Sequence, residues 1–126
     1  MECTSDFARF PANWGVRFLC DCKNPGKAIN VHLGIAREIS SNGVSILSDH
    51  QICQQKKIAM HLLIPSRVGD APQTIVKIIG NSISTFMKEG KFLTEIEFLH
   101  FEEDGLKVLE KNLQQNFDFH LFPQQA

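Results

Sequence analysis

The segment from Arg37 to Gly43 carries several groups that could hold a ligand. Glu38 supplies a carboxylate, Ser40 a hydroxyl and Asn42 an amide, and Gly43 closes the segment. Such groups, beside backbone N–H groups near a glycine, can bind an anion or the edge of a nucleobase. Alternatively, Ser40 and Asn42 only satisfy the backbone of their own turn, as these residue types often do. We expect Gly43 to adopt a positive φ in either case.

No arrangement of residues in the sequence indicates catalysis. The chain has no G-x-S-x-G motif, no phosphate-binding loop and no tyrosine. The acidic run Glu102-Glu103-Asp104 suits the start of a helix, where the helix dipole favours negative charge. We therefore predict no catalytic residues and no enzymatic activity.

The cysteines and histidines do not form a recognisable metal site. Cys20 and Cys22 flank Asp21, whereas Cys3 and Cys53 are isolated, and the C-x-C spacing lacks the paired C-x₂-C pattern of zinc sites. The 5 histidines are scattered along the chain: His32, His50, His61, His100 and His120. We expect reduced, partly buried thiols, no metal and no cofactor.

Composition and charge narrow the class of protein. The 126 residues match one domain, and a hydrophobic share of 43% is enough for a core. The net charge of −1 argues against a DNA- or RNA-binding protein, which normally has an excess of basic residues. There is no apolar run long enough to insert into a membrane and no secretory signal, so we expect a cytoplasmic protein.

Alternating and short apolar runs predict six strands, and the final segment predicts a helix. The strands are expected at 13–22, 29–36, 44–47, 58–64, 74–86 and 92–98, with a bulge at Gly80-Asn81 and a hairpin turn at 88–91. Leu106, Leu109, Leu113 and Phe117 follow a helical period, with Asp104 as a plausible cap. We predict a single all-β domain: an arm at 1–12, a six-stranded antiparallel barrel at 13–101 and a C-terminal helix at 102–117.

Three segments in this order resemble the PilZ domain family. The turn 38–43 is similar to the family's [Asp/Asn]-x-Ser-x-x-Gly signature. Upstream, the run 9–18 looks like the family's approach to its first strand, where an arginine precedes a hydrophobic-proline step. The run 95–101, followed by a leucine-bearing helix, is similar to the end of the domain. The likeness covers almost the whole chain and implies a six-stranded barrel.

The resemblance implies a ligand as well as a fold. Many PilZ domains are receptors for cyclic di-GMP, which an Arg-x-x-x-Arg pair before the first strand and the signature turn clamp from two sides. Arg9 matches the second arginine, and Ser40 and Gly43 match the turn. The first arginine is replaced by Ser5, and the acidic position holds Glu38, which is one methylene longer than aspartate.

Two hypotheses follow from the resemblance. In the first, a non-catalytic adaptor binds cyclic di-GMP near Arg9, Glu38, Ser40 and Gly43 and then alters an unidentified partner protein. Arg37 lies next to the turn and could substitute for the missing arginine; otherwise it is a solvated strand residue. In the second, a degenerate PilZ domain does not bind the messenger and serves as a protein-interaction module in motility, pilus or envelope machinery.

Overall fold

The computed structural model describes residues 10–19, 31–52, 55–66 and 72–117. These residues form six strands and one helix. The elements are β1 Phe10–Leu19, β2 Val31–Ile39, β3 Gly43–Ser48, β4 Lys57–Ile64, β5 Thr74–Lys88, β6 Lys91–Phe101 and α1 Gly105–Phe117. The predicted order of elements is confirmed.

The strands close into an antiparallel barrel in the order β1-β2-β3-β6-β5-β4. The barrel consists of two three-stranded meanders, β1-β2-β3 and β4-β5-β6, which pair with each other through β3–β6 and β1–β4. Strands β3 and β4 are consecutive in the sequence but are not neighbours in the barrel. Closure pairs both edges of each meander, so that the described strands leave no open sheet edge.

The alternation along β1 directs Trp14, Val16 and Phe18 into the core. The strand begins at Phe10, whereas we expected the barrel to begin at residue 13. Phe10 and Pro11 pair with Ile39 and Glu38 of β2, so positions 10–12 belong to the barrel and not to an arm. The expectations for residues 1–9 and for the four cysteines lie outside the described residues.

Strand β2 turns its large apolar side chains away from the core. Val31, Leu33 and Ile35 are 59%, 71% and 41% exposed, whereas Ala36 on the opposite face is fully buried. The inner face has little room, because a Cβ at Gly34 would lie 2.8 Å from Cγ2 of Ile46. Small inner residues on β2 therefore let the barrel close around the branched side chains of β3.

The β5–β6 hairpin has the predicted irregularity and turn. The register shifts between Ile79 and Gly80, where a bulge was expected, and again between Ser82 and Ser84. Glu89 and Gly90 form the turn with φ values of 55° and 78°. Two consecutive positive φ values match the twist of the flanking strands.

Helix α1 begins at Gly105, three residues later than the predicted boundary at 102. Leu109 and Leu113 join the hydrophobic core, but Leu106 is 39% exposed and does not share that buried face. The predicted apolar stripe was therefore too wide at its N-terminal end. Helix α1, the one helix of the described residues, is too short and too polar to span a membrane.

Candidate functional site

The turn between β2 and β3 is held by its own polar groups. The Ser40 backbone N–H donates to the Gly43 carbonyl oxygen at 3.0 Å. Ser40 Oγ donates to Asn42 Oδ1 at 2.5 Å and accepts the Asn42 backbone N–H at 3.2 Å. These bonds agree with the alternative in which Ser40 and Asn42 form hydrogen bonds within their own turn.

The residues of the turn differ in their exposure to solvent. Ser40 is buried and Asn42 is exposed. The backbone carbonyl oxygen of Asn42 accepts a hydrogen bond from the Phe98 backbone N–H at 2.9 Å. The expected positive φ at Gly43 is wrong, since Gly90 is the glycine with a positive φ among the described residues. Gly43 is buried and begins β3 by pairing with Glu97, which calls for an extended backbone. The turn is thus a hydrogen-bonded corner tied to β6.

A pocket lies beside this corner on the outer surface of the barrel. The register of β2 against β3 shifts between Ala36 and Glu38, and a bulge of this kind redirects the side chains on either side of it. Arg37 and Glu38 both line the pocket, whose volume is about 230 Å³. Four strands supply the remaining lining residues, which are Pro11, Asn13, Ser45, Lys88, Leu93 and Glu95.

The pocket balances two basic and two acidic side chains. Arg37 and Lys88 are its cations, and Glu38 and Glu95 are its carboxylates. The buried Ser45 hydroxyl donates to Glu95 Oε2 at 2.6 Å and so fixes that carboxylate. A guanidinium can bind phosphate oxygens or the O6/N7 edge of guanine, whereas a carboxylate accepts hydrogen bonds from N–H groups of a base. The set is suited to a ligand that carries both phosphate and purine groups.

Arg37 is already engaged with the tip of the β5–β6 hairpin. Its Nη1 lies 3.4 Å from Glu89 Oε1, and the two side chains are 36% and 61% exposed. An ion pair this accessible to solvent is weak. Glu89 therefore competes with an incoming anion for the Arg37 guanidinium without blocking it.

The structure brings some of the expected site residues together and leaves others apart. Arg37 and Glu38 line the pocket, and Ser40, Asn42 and Gly43 form the adjacent turn without lining it. Arg9 and Ser5 lie outside the described residues. Phe10, which follows Arg9 in the sequence, pairs with Ile39 directly before the turn. The start of β1 and the turn are thus neighbours on the same side of the barrel.

Sequence reasoning missed the pocket residues that belong to β5 and β6. Lys88 and Glu95 are far from the turn in the sequence, and only the β3–β6 pairing places Glu95 opposite Ser45. The sequence pattern gave little indication of a site at these residues, because it placed Lys88 in a hairpin turn and Glu95 on the polar face of a strand. Among the described residues, no group of three or more His, Cys, Asp or Glu side chains is arranged to hold a metal ion.

Comparison with solved structures identifies the fold. The barrel is similar to the Bacillus subtilis inhibitor of motility MotI/DgrA, with a TM-score of 0.66, 12% identity and coverage of 90% of this chain and 51% of that chain. It is also similar to the Escherichia coli YcgR PilZ domain with cyclic di-GMP (TM-score 0.53, 11% identity, 90% of this chain and 97% of that chain). The K. pneumonia MrkH–cyclic di-GMP complex gives a TM-score of 0.54 at 11% identity, over 89% of this chain and 52% of that chain.

The chain therefore has a PilZ-like fold, as the sequence predicted. It spans about half the length of the MotI/DgrA and MrkH chains that it matches. No model of a known protein family and no curated protein matches the sequence.

Proposed function

We propose that the protein is a non-catalytic receptor for cyclic di-GMP that acts on a partner protein. The observation that carries the proposal is the meeting of three features on one side of a PilZ-like barrel. The start of β1 at Phe10, the Ser40–Gly43 turn and the pocket with Arg37 and Lys88 are adjacent. Structures with this fold include complexes with cyclic di-GMP.

In this proposal the ligand lies over the pocket and is held from two directions. Arg9, on the segment that leads into β1, binds a phosphate or the guanine O6/N7 edge. Arg37 takes the role of the arginine that Ser5 replaces. Glu38 and Glu95 accept hydrogen bonds from guanine N–H groups, while Ser40 and Gly43 keep the turn in shape.

Titration calorimetry of the full chain with cyclic di-GMP tests the proposal. At micromolar concentrations and low salt we expect a saturable heat, which Arg9→Ala weakens by about ten- to a hundredfold because a charge-assisted bond to phosphate is lost. Arg17→Ala is the matched control, since Arg17 is an exposed β1 arginine that does not line the pocket. Absence of heat from the unaltered chain would contradict receptor function.

A second candidate function is protein recognition without cyclic di-GMP binding, and three features of the chain favour it. Ser5 removes one ligand arginine, the two carboxylates in the pocket repel phosphate, and the Ser40 and Asn42 side chains already bond to each other. These features suit a PilZ-like domain that recognises only proteins, in motility, pilus or envelope machinery. A pull-down that recovers the same partner with and without cyclic di-GMP supports this function over the first.

A further inference from the structure

The outer face of β2, β1, β4 and β5 carries a second surface. It shares no residue with the pocket lined by Arg37 and Glu38. Residues paired in register on neighbouring strands point to the same side of a sheet, so this face is organised in cross-strand rows. One flanking row consists of Val31, Leu19, Ala59 and Ile79, and the other of Ile35, Gly15, Leu63 and Ile75. The middle row consists of Leu33, Arg17, His61 and Lys77. We call these three rows the striped face.

The striped face exposes five large apolar side chains. Val31, Leu33 and Ile35 on β2 are joined there by the exposed side chains of Leu19 and Ile75. A pocket of about 230 Å³, lined largely by apolar side chains, indents the face between Arg17 and Lys77. Val31, Leu33 and Ile35 are neighbours on this face, and contiguous exposed apolar side chains mark interaction sites.

The middle row carries two cations, Arg17 and Lys77, and the described residues that line the pocket between them include one carboxylate, Glu102. Arg17 Nη2 lies 3.4 Å from Nδ1 of His61, and neither Arg17 nor Lys77 has an ion pair with a described residue. Glu102 lines the same pocket without pairing with either cation. A complementary partner must therefore supply carboxylates to the middle row and apolar side chains to the rows beside it.

We propose that the striped face is a docking site for an acidic amphipathic helix of a partner protein. Only β4 separates Arg17 on β1 from Lys77 on β5, which places their backbones about 10 Å apart. Residues i and i+7 of a helix are also about 10.5 Å apart. A helix lying along the middle row aligns two acidic residues with these cations. The helix extends about 5–6 Å to either side of its axis, so the side chains of the apolar rows, whose backbones lie about 7 Å away on both sides, can contact its flanks.

A membrane or a second copy of the chain fits the striped face less well. Basic clusters that recruit proteins to anionic lipid have roughly four to eight Lys or Arg residues, whereas this row has Arg17 and Lys77. A symmetric dimer would place the middle row against itself, with like charges opposed. An acidic helix satisfies the charge and the apolar rows together.

A labelled synthetic helix of roughly 18 residues tests the proposal by fluorescence anisotropy against the full chain. Its glutamates form one stripe at i, i+4 and i+7, with leucines on both sides. We expect it to bind at least about tenfold more tightly than a peptide with Lys in place of Glu, or Gln in place of Leu. Leu33→Asp and Arg17→Glu should each weaken binding by about tenfold or more.

Two variants outside the striped face serve as matched controls. Met87→Asp places a charge on a 61% exposed apolar residue near the far end of β5, and Lys111→Glu reverses an exposed charge on α1. Both should leave peptide affinity unchanged, with circular dichroism verifying the fold of every variant. Equal binding of all peptides overturns the proposal, as does equal loss in face and control variants. A dimer, or binding to phosphatidylserine vesicles, that Leu33→Asp abolishes also overturns it. Because these residues do not line the ligand pocket, failure here leaves the cyclic di-GMP titration unaffected.

Discussion

Replacing Glu89 with glutamine should strengthen the binding of cyclic di-GMP. The Glu89 carboxylate lies 3.4 Å from the Arg37 guanidinium, which we assign to a ligand phosphate. Glu89→Gln removes the competing charge while it retains the size of the side chain. The guanidinium is then available to the ligand without first breaking an ion pair.

The exposure of the pair sets the magnitude of this effect. With side chains 36% and 61% exposed, the Arg37–Glu89 interaction belongs to the class of surface ion pairs worth about 0.2–1 kcal/mol. Its loss should lower the dissociation constant by about 1.4- to 5-fold. Arg37→Ala should instead weaken binding by about ten- to a hundredfold, because a charge-assisted contact is worth about 1.5–3 kcal/mol.

Isothermal titration calorimetry at low salt measures both effects, and the double variant separates them. If Glu89 acts through Arg37, the Arg37→Ala/Glu89→Gln variant should bind like Arg37→Ala alone. Asp49→Asn is the charge-matched control, since it breaks another exposed ion pair, with Lys91 at 2.7 Å, away from the pocket. The role of Arg37 would be refuted if Glu89→Gln and Asp49→Asn bound cyclic di-GMP with equal affinity and Arg37→Ala bound it as tightly as the unaltered chain.

Three further predictions concern the stability of the scaffold. Gly80→Ala should lower the free energy of unfolding by about 1–3 kcal/mol in urea denaturation, since the new Cβ would lie 2.5 Å from a methyl carbon of an isoleucine on β6; an unchanged midpoint contradicts this. Ser40→Ala removes the side-chain bonds of the turn and should cost about 0.5–1.5 kcal/mol for each net bond in thermal unfolding, unlike Ser41→Ala. Leu113→Ala should cost about 2–5 kcal/mol because the side chain is buried in the core, whereas Leu106→Ala on the exposed side should cost under about 0.5 kcal/mol; similar losses would mean that the helix does not pack through Leu113.

The candidate ligand pocket and the striped face share two strands. On β2, Arg37 of the pocket lies two residues beyond Ile35 of the striped face, and on β1, Asn13 and Gly15 have the same relation. The bulges between Pro11 and Trp14 and between Ala36 and Glu38 lie where the two surfaces meet. A ligand that reshapes these bulges would also act on strands β1 and β2 of the striped face. The two proposals therefore share these two strands as a physical link.

Much of the fold was determined by patterns that act over short distances along the chain. The alternation of Trp14, Val16 and Phe18 forms one buried face of a strand, and Leu109 and Leu113 form one buried face of a helix, because side-chain direction follows from backbone geometry. Turn residues at 88–91 likewise defined their hairpin. These patterns therefore predicted the number of strands and the helix, whereas the PilZ-like barrel was predicted from the resemblance of three segments to that family.

Only the tertiary structure decided which faces are buried and which distant residues meet. The apolar side of β2 is outside because β3 and a close approach at Gly34 fill the interior, a constraint between strands that the β2 pattern does not contain. Glu95 and Lys88 enter the pocket through the pairings of β6 with β3 and β5. Strand pairing joins residues that are far apart in the sequence, so the complete site exists only once the barrel has closed.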